Sequence, residues 1–336
     1  MAPEAPASTD TPSADRRTES GAHHPDAPRE ITGADGNRYD GGSVTLAVAT
    51  KDRLESVIET LLQLDLGAFG EVLVVDDSSD DEIRRWCADR PVSYRRGPGE
   101  NLQAARNFAI EECDSPVLAF VDDDVLLPTD FADRIAAAFN AHPEAVAIGG
   151  PTLSSAVEDA RDLCYRERMS VNPWTGTVHD DSYRWVPDAP RRVGLLKGAN
   201  MCFLTSALER IGGFDPCYGG AAQREETDAV VRIGAYGEVV YDPALACFHK
   251  QTGGAEFGRD LIEWRFRNHG YFVRKNFGRL PFVLGFLSVF LRLCGNPDSL
   301  AQLAYRRVVL RQRFGVVDCL RAYIRGGRRF ADERRN

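Results

Sequence analysis

Residues 120–125 read Phe120-Val121-Asp122-Asp123-Asp124-Val125, three consecutive carboxylates set directly after an apolar run that begins at Val117. An uninterrupted run of this kind is the pattern of a strand buried on both faces of a parallel sheet. A strand that ends in acids delivers negative charge to the carboxyl edge of the sheet, where open α/β folds bind ligands. Carboxylates held so close repel one another, and a divalent cation relieves that repulsion. On this stretch alone, the competing reading is a solvated acidic turn.

The flanking sequence repeats the pattern. Glu71-Val72-Leu73-Val74-Val75 ends in Asp76-Asp77-Ser78-Ser79-Asp80, and the apolar run 44–49 ends in Thr50-Lys51-Asp52-Arg53. Between them, apolar residues at 54, 57, 58, 61, 62 and 64 carry helical spacing. Strand, helix, strand at this repeat length predicts βαβ units around a mostly parallel sheet. Three polar or acidic loops then meet at one sheet edge.

The ordered set "AVATKDR", "VLVVDDSSDD", "LQAARNFAI", "AFVDDDVLLP", "GANMCFLTSALERIGGFD" and "REETDAVVRIGAYG", spread over about residues 43–250, resembles a family 2 glycosyltransferase of the GT-A fold. The resemblance implies an inverting transfer of sugar from a nucleotide-sugar donor, a UDP-sugar in preference. The implied acceptor is a hydroxyl on a lipid-linked glycan or polysaccharide, in cell-surface glycan or protein N-glycan assembly.

By the same resemblance, Thr50, Lys51 and Arg53 meet base and diphosphate, and Asp76 and Asp77 meet uracil or ribose. Ser78 or Ser79 can at the same time cap the helix that follows. Arg106 lies beneath the nucleotide, or else forms an ion pair within the site. Asp122 and Asp124 form the D-x-D pair for Mg²⁺ or Mn²⁺, Asp124 as direct ligand and Asp122 also toward ribose. Asp123, also placed on the nucleotide side, points elsewhere because alternate residues face opposite ways. His249 is a third ligand or a structural histidine. Gly198 and Asn200 line the acceptor side. The family's Glu-Asp-x-Asp reads Glu225-Glu226-Thr227-Asp228 here, which makes Glu226 the general base and Glu225 its rival. Asp228 and Arg232 stand i, i+4 and are expected to pair.

Composition fits this reading. A net charge of −9 argues against nucleic-acid binding. Of 41 basic residues only Lys51, Lys197, Lys250 and Lys275 are lysines, a bias resembling GC-rich and salt-adapted organisms, haloarchaeal ones among them, or plain codon usage. The 8 cysteines form no Cys-x-x-Cys pair, so neither zinc nor a disulfide framework is expected. The expected organisation is a disordered, acidic, Pro-rich tail over 1–42 and a GT-A unit over 43–255, with its nucleotide half at 43–125 and acceptor half at 126–255. A helical, basic and aromatic extension over 256–336 follows. The apolar stretch 280–293 is shorter than the roughly 20 residues a bilayer span needs. With the basic and aromatic residues before it, 262–293 is expected either to lie on a membrane interface or to pack on the catalytic unit. Without a signal peptide, the protein is expected in the cytoplasm, peripheral on the cytoplasmic face of the membrane. Two other functions are compatible with the fold, an inactive sugar- or lipid-binding scaffold and a nucleotidyltransferase. For the latter, Gly97-Pro98-Gly99 is the only glycine hint, and it lacks a preceding apolar strand and a third glycine.

Overall fold

The β-branched runs form strands as the pattern requires. In this computed structural model, residues 38–154, 169–183, 185–220, 223–250, 259–294 and 315–334 are described. The strands are β1 (Val44–Thr50), β2 (Glu71–Asp76), β3 (Ser93–Arg96), β4 (Val117–Val121), β5 (Val125–Leu126), β6 (Ala145–Gly149), β7 (Thr152–Ser154), β8 (Met169–Val171), β9 (Val178–Asp180), β10 (Arg191–Arg192), β11 (Asn200–Leu204), β12 (Glu238–Tyr241) and β13 (Cys247–His249). The helices are α1 (Leu54–Leu62), α2 (Glu82–Cys87), α3 (Leu102–Glu111), α4 (Phe131–Ala141), α5 (Thr205–Arg210), α6 (Glu225–Ile233), α7 (Arg259–Phe277), α8 (Arg279–Cys294) and α9 (Val316–Glu333).

The main sheet has the order β10-β12-β6-β11-β4-β1-β2-β3. β1 pairs in parallel with both β2 and β4, so the chain leaves β1 toward one edge and returns on its other side. Such a reversal of strand order opens a crevice at the carboxyl ends of the two strands. Thr50 and Asp122 stand at the mouth of that crevice. β11 enters antiparallel between β4 and β6 and brings Gly198 and Asn200 to the same end. β4 is buried throughout, which explains its unbroken apolar sequence.

The run 238–248 splits into β12 and β13, because Pro243 cannot donate to a ladder. Asp242 instead accepts from the Ala244 amide at 2.8 Å and starts a short turn between β12 and β13. The catalytic unit also begins ahead of residue 43. The Tyr39 amide donates to the Asn140 side chain at 2.8 Å, and Gly41 is buried. The rest of the expected tail, 1–37, lies outside the described residues, as does 295–314 of the expected extension.

The C-terminal helices carry a core of their own, made by Ile262, Phe266, Val289, Leu293, Cys319, Ala322 and Tyr323. Gly278, with φ 89°, turns the chain from α7 into α8. Pro281 sits in the first turn of α8, where its missing amide is harmless, so the helix runs unbroken. α7 and α9 cross at glycines. A Cβ on Gly326 would lie 1.9 Å from the Arg267 carbonyl oxygen, and one on Gly270 would lie 2.0 Å from that of Tyr323. Alanine is the better helix former by about 1 kcal/mol, but forcing two backbones apart costs more, about 1–3 kcal/mol. Gly326→Ala is therefore expected to lower the melting temperature in a thermal scan. An unchanged or raised value would refute the close crossing.

Among the described residues no helix is long and apolar enough to cross a membrane. α8 buries Val289 and Leu293 against its neighbours but leaves Leu280, Val283, Leu287, Phe290 and Leu291 exposed, Leu291 by 65%.

Candidate active site

The three acids after β4 separate by what holds them. Asp123 turns into the protein, where the Thr50 hydroxyl donates to it at 2.7 Å and Arg53 pairs with it at 2.7 Å. Burial raises its carboxyl to about 6 against the pull of Thr50 and Arg53. Asp124 is nearly as buried, and burial works to raise it too. His249 and Arg53, at 2.9 and 2.8 Å, outweigh that and hold it well below the usual carboxylate range. Asp122 is the exposed one, its side chain 32% accessible. Thr60 of α1 and Gln63 just after it hold the loop by donating to the Asp123 and Val125 carbonyls.

Asp122, Asp124 and His249 offer one ligand atom each, all within 4.8 Å of one another. Two carboxylates and an imidazole are donors suited to a divalent cation, Mn²⁺ accepting the nitrogen more readily than Mg²⁺. A cleft of about 610 Å³ opens over the cluster, lined among others by Thr50, Lys51, Arg53, Asp77, Tyr183 and His249.

Asp76 has no exposed surface, and its oxygens accept from the Ser78 amide at 2.8 Å and the Tyr94 hydroxyl at 3.0 Å. It braces the loop, and Asp77 is the acid left at the cleft wall. Asp77 in turn accepts from the Gly99 amide at 2.7 Å, and a Cβ on Gly97 would strike its carboxylate at 2.3 Å. The Gly97-Pro98-Gly99 stretch thus serves to close on Asp77. Neither serine caps α2. Ser78 accepts from the Asp52 amide, and Asp80 takes the Glu82 amide instead.

Arg106 joins the two halves of the site. Its buried guanidinium lies 3.5 Å from Asp122, donates to the Gly198 carbonyl at 3.1 Å, and pairs closely with Glu225. The neighbouring Asn107 is structural, clasping the Phe214 backbone on both sides. Asn200 is fully buried and donates to the Leu245 carbonyl, so it presents no surface to an acceptor.

Glu225 and Glu226 open α6 under opposite influences. Burial and the adjacent Glu226 charge push Glu225 well above the usual range despite Arg106. Burial also works to raise Glu226, but a hydrogen bond from Glu225 and the charges of Lys197 and Arg224 bring it below. The two acids are thus pushed in opposite directions, and Glu226 retains some exposure while Glu225 has almost none. Behind them, Asp228 pairs with Arg232 at 2.8 Å as the spacing predicts. It also accepts from Lys275 at 2.8 Å, Asn276 at 2.8 Å and Tyr218 at 3.0 Å. Lys275 bonds Asp215 as well, so α7 is tied to the helix that carries the acids.

Sequence reasoning missed Asp180, Tyr183 and Lys197. Lys197 lies 3.4 Å from Asp180 and 4.7 Å from the Tyr183 ring. The three come from strands and loops of two or three residues with no periodic signal. The one clue was that Lys197 is among only four lysines.

Residues 45–196 match the sequence model of Glycosyl transferase family 2. This segment belongs to that family. Solved structures with a similar fold are of low sequence identity. GalNAc-T7 with UDP, GalNAc and Mn²⁺ is 11% identical with a TM-score of 0.52, over 83% of this chain and 55% of that one. A mannosyltransferase from Pyrobaculum calidifontis in complex with GDP-Man and Mn²⁺ is 17% identical, over 84% and 86%, with a TM-score of 0.48. S. aureus TarS 1-349 is 13% identical, over 86% and 91%, also at 0.48. Comparison with curated proteins gives no match.

Proposed function

We propose that this glycosyltransferase moves a sugar, with inversion, from a nucleotide-sugar to a hydroxyl of a lipid-linked or polysaccharide acceptor, a step of surface-glycan or N-glycan assembly. The observation that carries the reading is Arg106, whose single guanidinium spans from Asp122 of the cation cluster to Glu225 of the acid pair. On this reading, donor and acceptor ends lie within one side chain's width. Thr50, Lys51, Arg53 and Asp77 receive the nucleotide, with a UDP-sugar favoured. Glu226 takes the proton from the acceptor hydroxyl, whose oxygen attacks the anomeric carbon from the face opposite the diphosphate. Asp122, Asp124 and His249 would hold Mn²⁺ or Mg²⁺, which supplies charge neutralisation for the departing diphosphate.

Calorimetric titration with UDP, GDP and dTDP, each with Mn²⁺ and again with chelator, tests this. One nucleotide should bind, and only with metal. Asp124→Ala should abolish that metal-dependent binding. Binding that survives both chelator and substitution would refute the cation site, and no binding of any nucleotide would favour a scaffold.

The extension adds a membrane contact through 262–293. Over residues 259–336, sixteen arginines and one lysine oppose six acids, in a chain that is acidic overall. Arg267 faces Arg325 and Arg329, and Arg274 faces Arg279 and Arg334; burial and this repulsion lower both guanidinium groups. Crowded arginines beside the exposed apolar side of α8 suit anionic lipid. Co-sedimentation with anionic liposomes is expected, with loss in a Leu287→Glu, Leu291→Glu double variant. Equal sedimentation of the variant would refute α8 as the contact.

A further inference from the structure

Arg224 acts on Glu226 through its charge, yet its own state is costly. It directly precedes Glu225, and its φ of 87° puts a residue with a Cβ in the left-handed region. Its Nε is sealed from solvent without a hydrogen-bond partner. Among the described residues no carboxylate pairs with it, in contrast to Arg53 and Arg106. Burial and the charge of Arg265 lower its guanidinium, while Glu226 and Asp180 attract it from farther away.

The loop that presents it is pinned. Gly219 and Gly220 lie against the Trp264 ring so closely that a Cβ on either would come within 2.4–2.5 Å of it. Arg224 thus stands beside Glu226 in a strained backbone, with no carboxylate paired to it among the described residues. It does not line the cleft over Asp122–Asp124. A planar guanidinium fork matches the two oxygens of a phosphate or carboxylate.

We propose that Arg224 binds an anionic group, a phosphate or a carboxylate, carried by the acceptor next to the hydroxyl that Glu226 deprotonates. This rests on the reading of Glu226 given above. It narrows the acceptor to a charged one and makes Arg224 a determinant of acceptor specificity.

The test uses the full chain with methyl phosphate and acetate as probes, followed by ligand-observed NMR with and without saturating UDP or GDP and Mg²⁺. One probe should bind the wild-type protein, and the one preferred names the acceptor's anion. Arg224→Gly should weaken that binding by about tenfold or more, as loss of a charged hydrogen bond does. Its melting temperature should hold or rise, because glycine tolerates the left-handed conformation. Equal probe binding by variant and wild type would overturn the proposal, as would the absence of probe binding to the wild type. A fall of several degrees in melting temperature would make Arg224 structural instead. Loss of nucleotide binding alone would sink the glycosyl-transfer reading, whereas intact nucleotide binding without probe binding would sink only this one.

Discussion

Glu226→Gln should bind the nucleotide and cation as the wild type does and lose transfer by about 10²–10⁴-fold, the range over which a positioned general base contributes. The amide keeps the size of the side chain and the start of α6 but cannot take a proton. Two features make this the expected site of loss. Glu226 is the acid brought below the usual range, and it is the more exposed of the pair. Glu225→Gln should behave differently. Glu225 is buried against Arg106 and pushed toward its protonated form, so the substitution should show itself in stability before turnover. Transfer assays of both variants, with nucleotide binding measured alongside, decide the matter. Unchanged turnover in Glu226→Gln would end its assignment as base, and collapse of turnover only in Glu225→Gln would move the role there.

Arg106→Met should be the most damaging single change to the folded state. Without the cation Glu225 is either charged and unpaired, at a cost of about 3–5 kcal/mol, or protonated at a smaller cost. Asp122 also loses a neighbouring guanidinium at 3.5 Å. The loss should depend on pH in a definite direction. A carboxyl whose folded value is raised binds its proton more tightly folded than unfolded. Stability therefore falls as pH rises from the ordinary glutamate value toward the raised one. Without Arg106, Glu225 is raised further. The variant should be weakest at neutral and alkaline pH and regain part of its stability on acidification toward pH 5. Chemical denaturation at several pH values checks this. A deficit independent of pH would show that the pair is not what Arg106 supports.

Much of this site was readable because strand ends announce themselves. Apolar runs that stop in Thr50, Asp76 and Asp122 located the crevice edge, and parallel pairing of β1 with β2 and β4 delivered those ends together. What each acid does there was not readable. Asp76 and Asp123 are turned inward by Tyr94 and by Thr50 and Arg53, partners brought in by pairing and packing that no local pattern encodes. Asn200 looked like a lining residue and is buried by the β11 insertion between β4 and β6. Lys197, Asp180 and Tyr183 come from the least periodic stretch of the chain, where neither a period of two nor one of 3.6 exists to be found.

The tie between Lys275 and Asp228 has a practical consequence for how the chain can be divided. A cut near residue 255 follows the change in composition and would deliver a tidy GT-A fragment on paper. It would also strip Asp228 of Lys275 and Asn276, and Asp215 of Lys275 and Tyr271. Asp215 would lose its cationic partner and Asp228 would be left with Arg232 alone, behind the helix that bears Glu226. The seam visible in the sequence is not a seam in the energetics, and the C-terminal helices belong to the catalytic scaffold as much as the sheet does.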